Sequence, residues 1–487
     1  MKKYFGLDYG TTNSLLYSFD GQNLEKETES LSAIKVLDNK EVLIGKRAWE
    51  DARSGHFEES PKRWINNLDQ VFNSLSIRGM IMALLNYMLK NKGENINPER
   101  SHITLTVPYL YTASNYYDMQ DILDHCLKES LGNNNNVDIH LLPEPVAAAL
   151  FYVHRHFVDL PETCHLVVCD IGGGTTDMCI VECKKENRKL AFRVVSGMQP
   201  AKIGGNDFNK SLLELICGKT TFPIGFKSFH KNNVANVFKC KLSELPLWRD
   251  NVGNKLVEVT QSEFVDCIKD DLNKLRRLMR ELLLKSGKVV DNSWYLLPVG
   301  GSCKIPAIRE LLEEVFQGAH ETYIDENTIF DSVAQGAAIY SAWCAKDLRL
   351  SNYDDISIEH CYPHEIQFKT AYGPWQTLVP QNSPQGRYPE GENKVNVETI
   401  RINISKDGKH YTLGEIVLKD GPDPLPCIHD QPFELRGREA KDIKLQLGAE
   451  IDKENRFVKC WIKDCLTQQV QEWSRDKKCV KQHPKTK

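Results

Sequence analysis

The sequence predicts an α/β domain made of two duplicated lobes, followed by an antiparallel β domain. Three observations lead there. A strand, a glycine turn and a second strand, with carboxylates and hydroxyls at the tip, occur twice, around Asp8 and around Asp170. From the first copy to Trp343, strand-like apolar runs alternate with stretches of helical spacing. From Ile356 to Trp473, short alternating segments parted by turn residues replace them.

The clearer copy spans residues 166–181. Leu166, Val167, Val168 and Cys169 form an apolar run fit for a buried strand. Asp170, Gly172, Gly173, Gly174, Thr175, Thr176 and Asp177 follow, and Met178 to Val181 resume a strand. Glycines let backbone N–H groups close on an anion without Cβ interference, and threonine hydroxyls add donors. Two carboxylates beside a phosphate cradle require a cation between them, so Mg²⁺ is implied. The earlier copy, residues 4–19, carries Asp8, Gly10, Thr11, Thr12 and Asn13 between its apolar runs. Two copies imply similar half-domains facing each other across a phosphate.

At 487 residues the chain has room for roughly two to four domains with their own cores. Lys+Arg 62 against Asp+Glu 66 leaves a net charge of −4, with no basic excess to meet nucleic acid. The apolar runs fall far short of the ~20 residues that span a bilayer. Lys2 and Lys3 lead into a strand carrying Asp8, not into a signal-peptide core, so a cytoplasmic location is expected. The 15 cysteines are odd in number and contain no C-x-x-C; they read as reduced, mostly buried thiols without zinc.

Along the chain, residues 31–43 suggest short strands, with 41–45 a strand ending in a turn. Lys62 and Arg63 follow Pro61 and read either as a solvated basic pair or as a lysine reaching back to the phosphate site. Residues 80–89 and 116–127 have helical spacing, and 103–107 is a strand ending at Pro108. Residues 133–136 are a surface loop, and 137–142 a strand. Pro143, Glu144 and Pro145 open a helix; Glu144 could orient a water or simply supply a helix N-terminal charge. Gly204 and Gly205 precede a helix over 208–216, a geometry suited to phosphate but common to many turns. Residues 264–284 predict one long amphipathic helix. A strand over 294–299 leads into Gly300, Gly301, Ser302, Cys303, Lys304, Ile305 and Pro306, then a helix to Phe316. Residues 332–343 form a small-residue helix whose Gly336, Ala337 and Ala338 permit close packing.

In the C-terminal part, strands are expected over 365–369, 375–379, 399–404, 410–418, 442–451 and 456–464. Turns fall at 407–408, 420–422 and 452–455. Residues 475–487 read as a basic tail that frays.

Together these motifs resemble the 70-kDa heat-shock (DnaK-like) chaperone family of the actin-like ATPase superfamily. The resemblance runs in order from the Asp8–Asn13 turn, through Val107-Pro108, the 143–149 connection, the 170–177 turn, 204–208 and 300–306, to the second connection at 332–338. It implies an actin-like ATPase domain over residues 1–345, a linker at 346–355 and a β-sandwich over 356–474. Leu378–Pro384, Thr412–Leu418 and Ile443–Asp464 resemble that family's peptide-binding strands. Asp347, Leu348, Arg349 and Leu350 resemble its acidic-leucine linker.

The resemblance implies ATP and ADP as ligands, Mg²⁺ held by Asp8 and Asp170, and K⁺ as a further ion. It makes Lys62 catalytic, with Glu144 and Asp177 positioning the attacking water and Thr175 and Asp170 in the same machinery. Gly10, Thr11, Thr12, Asn13, Gly172, Gly173, Gly174 and Thr176 would surround the phosphates, with Gly204 and Gly205. Lys239, Ser243, Gly300, Gly301, Ser302 and Lys304 would meet the adenosine. Departures concern the adenine clamp: Asn236 stands for a glutamate, Cys240 for an arginine and Lys304 for the second stacking arginine, and a thiol cannot stack like a guanidinium. Asn206 replaces an acidic residue. The family's helical lid is expected to be missing, since the chain ends soon after Trp473.

The implied function is ATP-driven binding of peptides or unfolded segments, with co-chaperones, by a monomer or weak oligomer that meets neither membrane nor nucleic acid. Alternatives are a nucleotide-dependent switch with one dedicated protein partner, an actin-like scaffold, and a small-molecule kinase with Asp207 as its base.

Overall fold

The computed structural model describes residues 2–474 apart from 52, 91–100, 110, 112, 133–135, 199–200, 224–227, 322–327, 347–352, 360, 363–364, 371–373, 380–382, 385, 389–401, 414–415, 421–422, 429–431 and 452–456. The linker motif at 347–350, most of the 133–136 loop, the 452–455 turn and the 475–487 tail therefore lie outside the described residues, as do parts of the 378–384, 412–418 and 420–422 motifs. The chain divides into two compact units, residues 1–358 and 359–487.

Both lobes of the first unit are built on the same sheet. In the first lobe Tyr4–Tyr9 runs antiparallel to Asn13–Phe19, which pairs with Leu24–Leu31; on its other side Tyr4–Tyr9 runs parallel to His102–Val107, and that strand parallel to Asp138–Pro143. In the second lobe Thr163–Ile171, Thr176–Glu186 and Lys189–Gly197 form the antiparallel part, and Trp294–Val299 and His320–Glu321 the parallel part, in the same order. The duplication expected from two short motifs thus extends to whole sheets. Central strands such as Thr163–Ile171 are buried on both faces, which is why their sequence is a continuous apolar run and not an alternation.

The helices Glu144–His156 and Thr328–Cys344 pack against each other. Small residues make this contact possible. A Cβ on Gly336 would fall 1.9 Å from the Ala147 carbonyl oxygen; the strand Tyr4–Tyr9 also approaches the second helix closely, since a Cβ on Gly6 would fall 2.2 Å from the Ala334 carbonyl. The first helix begins with Pro145 in its first turn and three alanines, all favourable there, and its last turn carries Arg155, whose cation suits the negative C-terminal end.

Several local expectations shift. The single helix expected over 264–284 is two, Gln261–Cys267 and Lys269–Ser286, because Ile268 leaves helical geometry at φ −103°, ψ 9°. The second begins with Asp270 and Asp271 in its first turn, so each helix has its own N-terminal carboxylates. The first compact unit runs to Ile358, beyond residue 345, because Asp355–Glu359 adds an edge strand beside Lys189–Gly197 and Tyr353 is buried in that lobe. Cys126, Cys164, Cys169, Cys179, Cys183, Cys303 and Cys460 are buried free thiols. No helix among the described residues is long and apolar enough to cross a membrane.

Among the described residues the second unit is antiparallel. One sheet orders Gln376–Val379, Ile366–Thr370, Ile416–Asp420 and Asp423–Ile428; another orders Gly386–Tyr388, Leu445–Ile451, Phe457–Asp464 and Val470–Ser474. Alternate residues of both sheets, among them Ile366, Phe368, Leu418, Leu447 and Ile462, share one core, which makes a sandwich. The strand expected over 410–418 is two: His410–Leu413 pairs with Ile402–Ile404, and Ile416–Asp420 pairs with Ile366–Thr370. One buried polar group anchors the core. Asp464 accepts from Tyr411 at 2.8 Å and from Arg438 at 2.6 Å.

Candidate functional site

The two hairpins place their tips around one cavity of about 770 Å³. Asp8 and Asp170 each occupy the penultimate position of an equivalent strand, so the duplicated sheets bring both carboxylates to its wall. The hairpins differ in one respect. Asp170 faces Asp177 across its ladder, whereas Asp8 faces Leu15. The tips touch: a Cβ on Gly173 would lie 1.9 Å from Thr12 Oγ1. Arg63 bridges the lobes by donating to the Gly174 carbonyl at 2.7 Å.

Lys62 lies at the centre. It sits on the 3-10 turn Pro61–Asn67, follows a proline at the turn's start and is 6% exposed. Its Nζ is 2.5 Å from Glu144 Oε1 and donates to the Tyr9 carbonyl. Burial opposes the ammonium charge, but Glu144 and Asp8 outweigh it and hold the Lys62 pKa above its ordinary value. One cation does not neutralise four carboxylates. Burial, with Glu144 next, raises Asp8 to about 7 and Asp177 to about 7, and pushes Asp170 well above the carboxylate range. Thr106 donates to Asp8 Oδ1 at 2.9 Å, and the Tyr109 N–H to Asp177 Oδ2 at 3.3 Å. Asp177 Oδ1 is buried without a hydrogen-bond partner.

The opposite end of the cavity is formed by Asn236, Lys239 and Cys240 of the helix Ser228–Leu242, by Ser243 and Glu244 after it, and by the turn Gly301–Lys304. Gly300 enters that turn at φ +83°, open to glycine, with no room for a Cβ beside Asp170 Oδ1. Ser302 Oγ donates to the Gly172 carbonyl at 3.1 Å, tying the two ends together. Burial lowers the Lys239 pKa to about 8; its Nζ donates to the Gly205 carbonyl at 3.0 Å.

Of the expected site residues, Lys62, Glu144, Asp8, Asp170, Asp177, Thr175, Gly10, Thr11, Thr12, Asn13, Gly172, Gly173, Lys239, Ser243, Gly300, Gly301, Ser302 and Lys304 line this cavity. Four do not. Thr176 turns its hydroxyl to the Ile203 carbonyl at 2.8 Å, and the Gly174 carbonyl accepts from Arg63. Gly204 and Gly205 open the helix Gly205–Lys219, but its first N–H groups are engaged: Gly205 N donates to the Gly172 carbonyl, Asn206 N to the Gly173 carbonyl, and Gly204 N to Asp207. That helix end braces the second hairpin, and Asp207, three residues into it, accepts from the N–H of the cap residue Gly204 at 2.9 Å. Sequence reading missed Glu29, Tyr111, Lys202, Glu244, Phe330 and Asp331 in the lining. Asp331 directly precedes the small-residue motif at 332–338, the one local signal available for any of them.

The residues present fit a nucleotide with a divalent cation. The donors are hydroxyls and glycine-turn backbone, which suit phosphate. The carboxylate set is undercompensated, and one buried oxygen lacks a partner. Among the described residues no three ligating side chains converge tightly enough to hold a metal ion alone. An ion here would be shared with waters and phosphate oxygens, the habit of Mg²⁺.

The family described as Hsp70 protein matches residues 58–386. A "Chaperone protein HscA homolog" of Histophilus somni (strain 129Pt) is 29% identical over 420 residues, covering 78% of this chain and 63% of that protein. "Chaperone protein HscA" of Salmonella paratyphi C (strain RKS4594) is 23% identical over 471 residues, covering 87% of this chain and 72% of its own length. The chain thus spans less than two thirds of the first relative and somewhat more of the second.

Proposed function

This chain belongs to the Hsp70 family, and from that premise we propose that it hydrolyses ATP to ADP and phosphate in the cleft between its lobes and couples the nucleotide state to capture of peptide or protein segments by its β domain. The observation that carries the reading is one buried lysine set among four carboxylates where two matching hairpins meet.

Thr11, Thr12 and Thr175, with the glycine-turn N–H groups, bind the phosphates. Asp8 and Asp170 would hold Mg²⁺, whose charge would offset that of the phosphates. Lys62 stabilises charge developing on the transferred phosphoryl group. Glu144 holds Lys62 in place and, with Asp177, borders the attacking water. Asp177, with a pKa of about 7 and an unengaged Oδ1, accepts that water's proton near neutral pH. K⁺ is a candidate further ion. Nucleotide and peptide influence each other only if the β domain prefers one nucleotide state.

The test is phosphate release by the full chain with MgATP, with and without a set of extended apolar peptides. Stimulation by many peptides supports the chaperone reading. Hydrolysis indifferent to every peptide but altered by one protein supports a dedicated switch. Absence of hydrolysis by well-folded protein contradicts both.

A further inference from the structure

The end of the cleft away from the phosphate turns holds an aromatic ring that the sequence did not single out. Phe330, in the first turn of the helix Thr328–Cys344, lines the cavity and is 41% exposed, although most large apolar side chains of this unit are buried. Its position is tightly defined. A Cβ on Gly301 would lie 2.6 Å from Phe330 Cε1, so the ring packs where only glycine leaves space. Lys304 Nζ, from the same turn, lies 5.1 Å from the ring centroid, within cation–π range. Buried Ile305 continues the apolar wall on the same side.

The other lining side chains at this end carry no ring. Cys240 contributes a thiol and Asn236 a small amide. Among the described lining residues the other aromatic ring is Tyr111, whose pKa is raised by burial and then by Glu144 and Asp177; it belongs to the phosphate end.

We propose that Phe330, backed by Gly301 and Lys304, is the platform on which the base of the bound nucleotide stacks. This rests on the nucleotide reading above and adds to it the residue that grips the base. An exposed ring in a water-filled cleft is costly to leave uncovered, and a planar heterocycle covers it while the ammonium of Lys304 stays at the rim.

The experiment is calorimetric titration of the full chain with MgATP and, separately, with magnesium tripolyphosphate, which has the phosphates and no base. Wild type, Phe330→Ala and Phe330→Trp are compared. Removing an aromatic platform should weaken MgATP binding by about tenfold or more, the usual scale for loss of one base stack. Tripolyphosphate affinity should stay unchanged, and Phe330→Trp should bind MgATP at least as tightly as wild type. Unchanged MgATP affinity in Phe330→Ala overturns the assignment and leaves the nucleotide reading standing. Equal weakening toward both ligands also overturns it, because the ring would then merely hold the cleft together. Failure of wild type to bind either ligand removes the nucleotide reading, and this proposal with it.

Discussion

Replacing Lys62 by methionine tests the centre of the cleft. Methionine keeps much of the aliphatic stem and removes the charge, so Glu144 loses its cation and the Tyr9 carbonyl its donor. Because the pair is buried, removing one partner should destabilise the nucleotide-free protein by about 3–5 kcal/mol. Proton uptake by the stranded carboxylates relieves part of this, so the loss should be smaller at pH 6 than at pH 8. Lys62→Met/Glu144→Gln removes both charges and should recover most of the stability, since neutral replacement of both ends of a buried pair approaches neutrality. Hydrolysis should not recover with it. Losing one group that stabilises developing charge lowers turnover by roughly 10²–10³. Urea unfolding of the four proteins at both pH values gives the coupling, and single-turnover hydrolysis gives the chemistry. Additivity of the two substitutions to within about 0.5 kcal/mol would refute the ion pair as a structural unit. Undiminished hydrolysis by Lys62→Met would refute its catalytic role.

Three further outcomes follow from other parts of the fold. The Asp177 pKa of about 7 lies above its ordinary 3.8, so the folded state binds more protons between those values; the stability it contributes is full below about pH 4 and lost as pH rises through 7. Asp177→Asn should therefore raise the melting temperature of nucleotide-free protein at pH 8 more than at pH 5 while abolishing hydrolysis; an equal shift at both pH values counts against the buried acid. Gly336→Ala places a Cβ against the Ala147 carbonyl and should cost about 1–3 kcal/mol, whereas Gly218→Ala, with no atom within 4 Å, should be neutral or stabilise by about 0.4–1 kcal/mol in thermal unfolding. In the β domain, Arg438→Met strands the fully buried Asp464 and should destabilise that unit by about 3–5 kcal/mol. Hydrogen exchange along Leu445–Ile451 and Phe457–Asp464 should then accelerate, and unchanged protection would show the pair to be dispensable.

What could be read in the sequence was local chemistry. A glycine turn with carboxylate and threonine neighbours announces itself within ten residues, so both hairpins, their aspartates and the Gly300 turn were legible. Continuous apolar runs marked the central strands because those strands are covered on both faces. Lys62 was legible only through the resemblance: a lysine after a proline is ordinarily solvated, and it is the tertiary packing of Glu144 and Tyr9 that buries this one. Phe330, Glu29 and Tyr111 had no local signal, since each reaches the cleft from an element whose placement depends on the whole domain. Gly204 and Gly205 show the converse. The turn-and-helix signal was correctly seen as a helix start, yet its free N–H groups serve the neighbouring hairpin. The hairpin Leu247–Val252 with Lys255–Thr260 carries a local signal of its own, Gly253-Asn254 between alternating segments. The edge strand Asp355–Glu359 was grouped with the β domain because an edge pairing is set by the partner sheet and not by the strand's own pattern.

The most direct test is an equilibrium titration of the monodisperse protein with ATP in the presence and absence of Mg²⁺. Saturable one-to-one binding is expected, tightening with the metal and weakening when Asp8 or Asp170 becomes asparagine. No detectable binding of adenine nucleotides under either condition would contradict it.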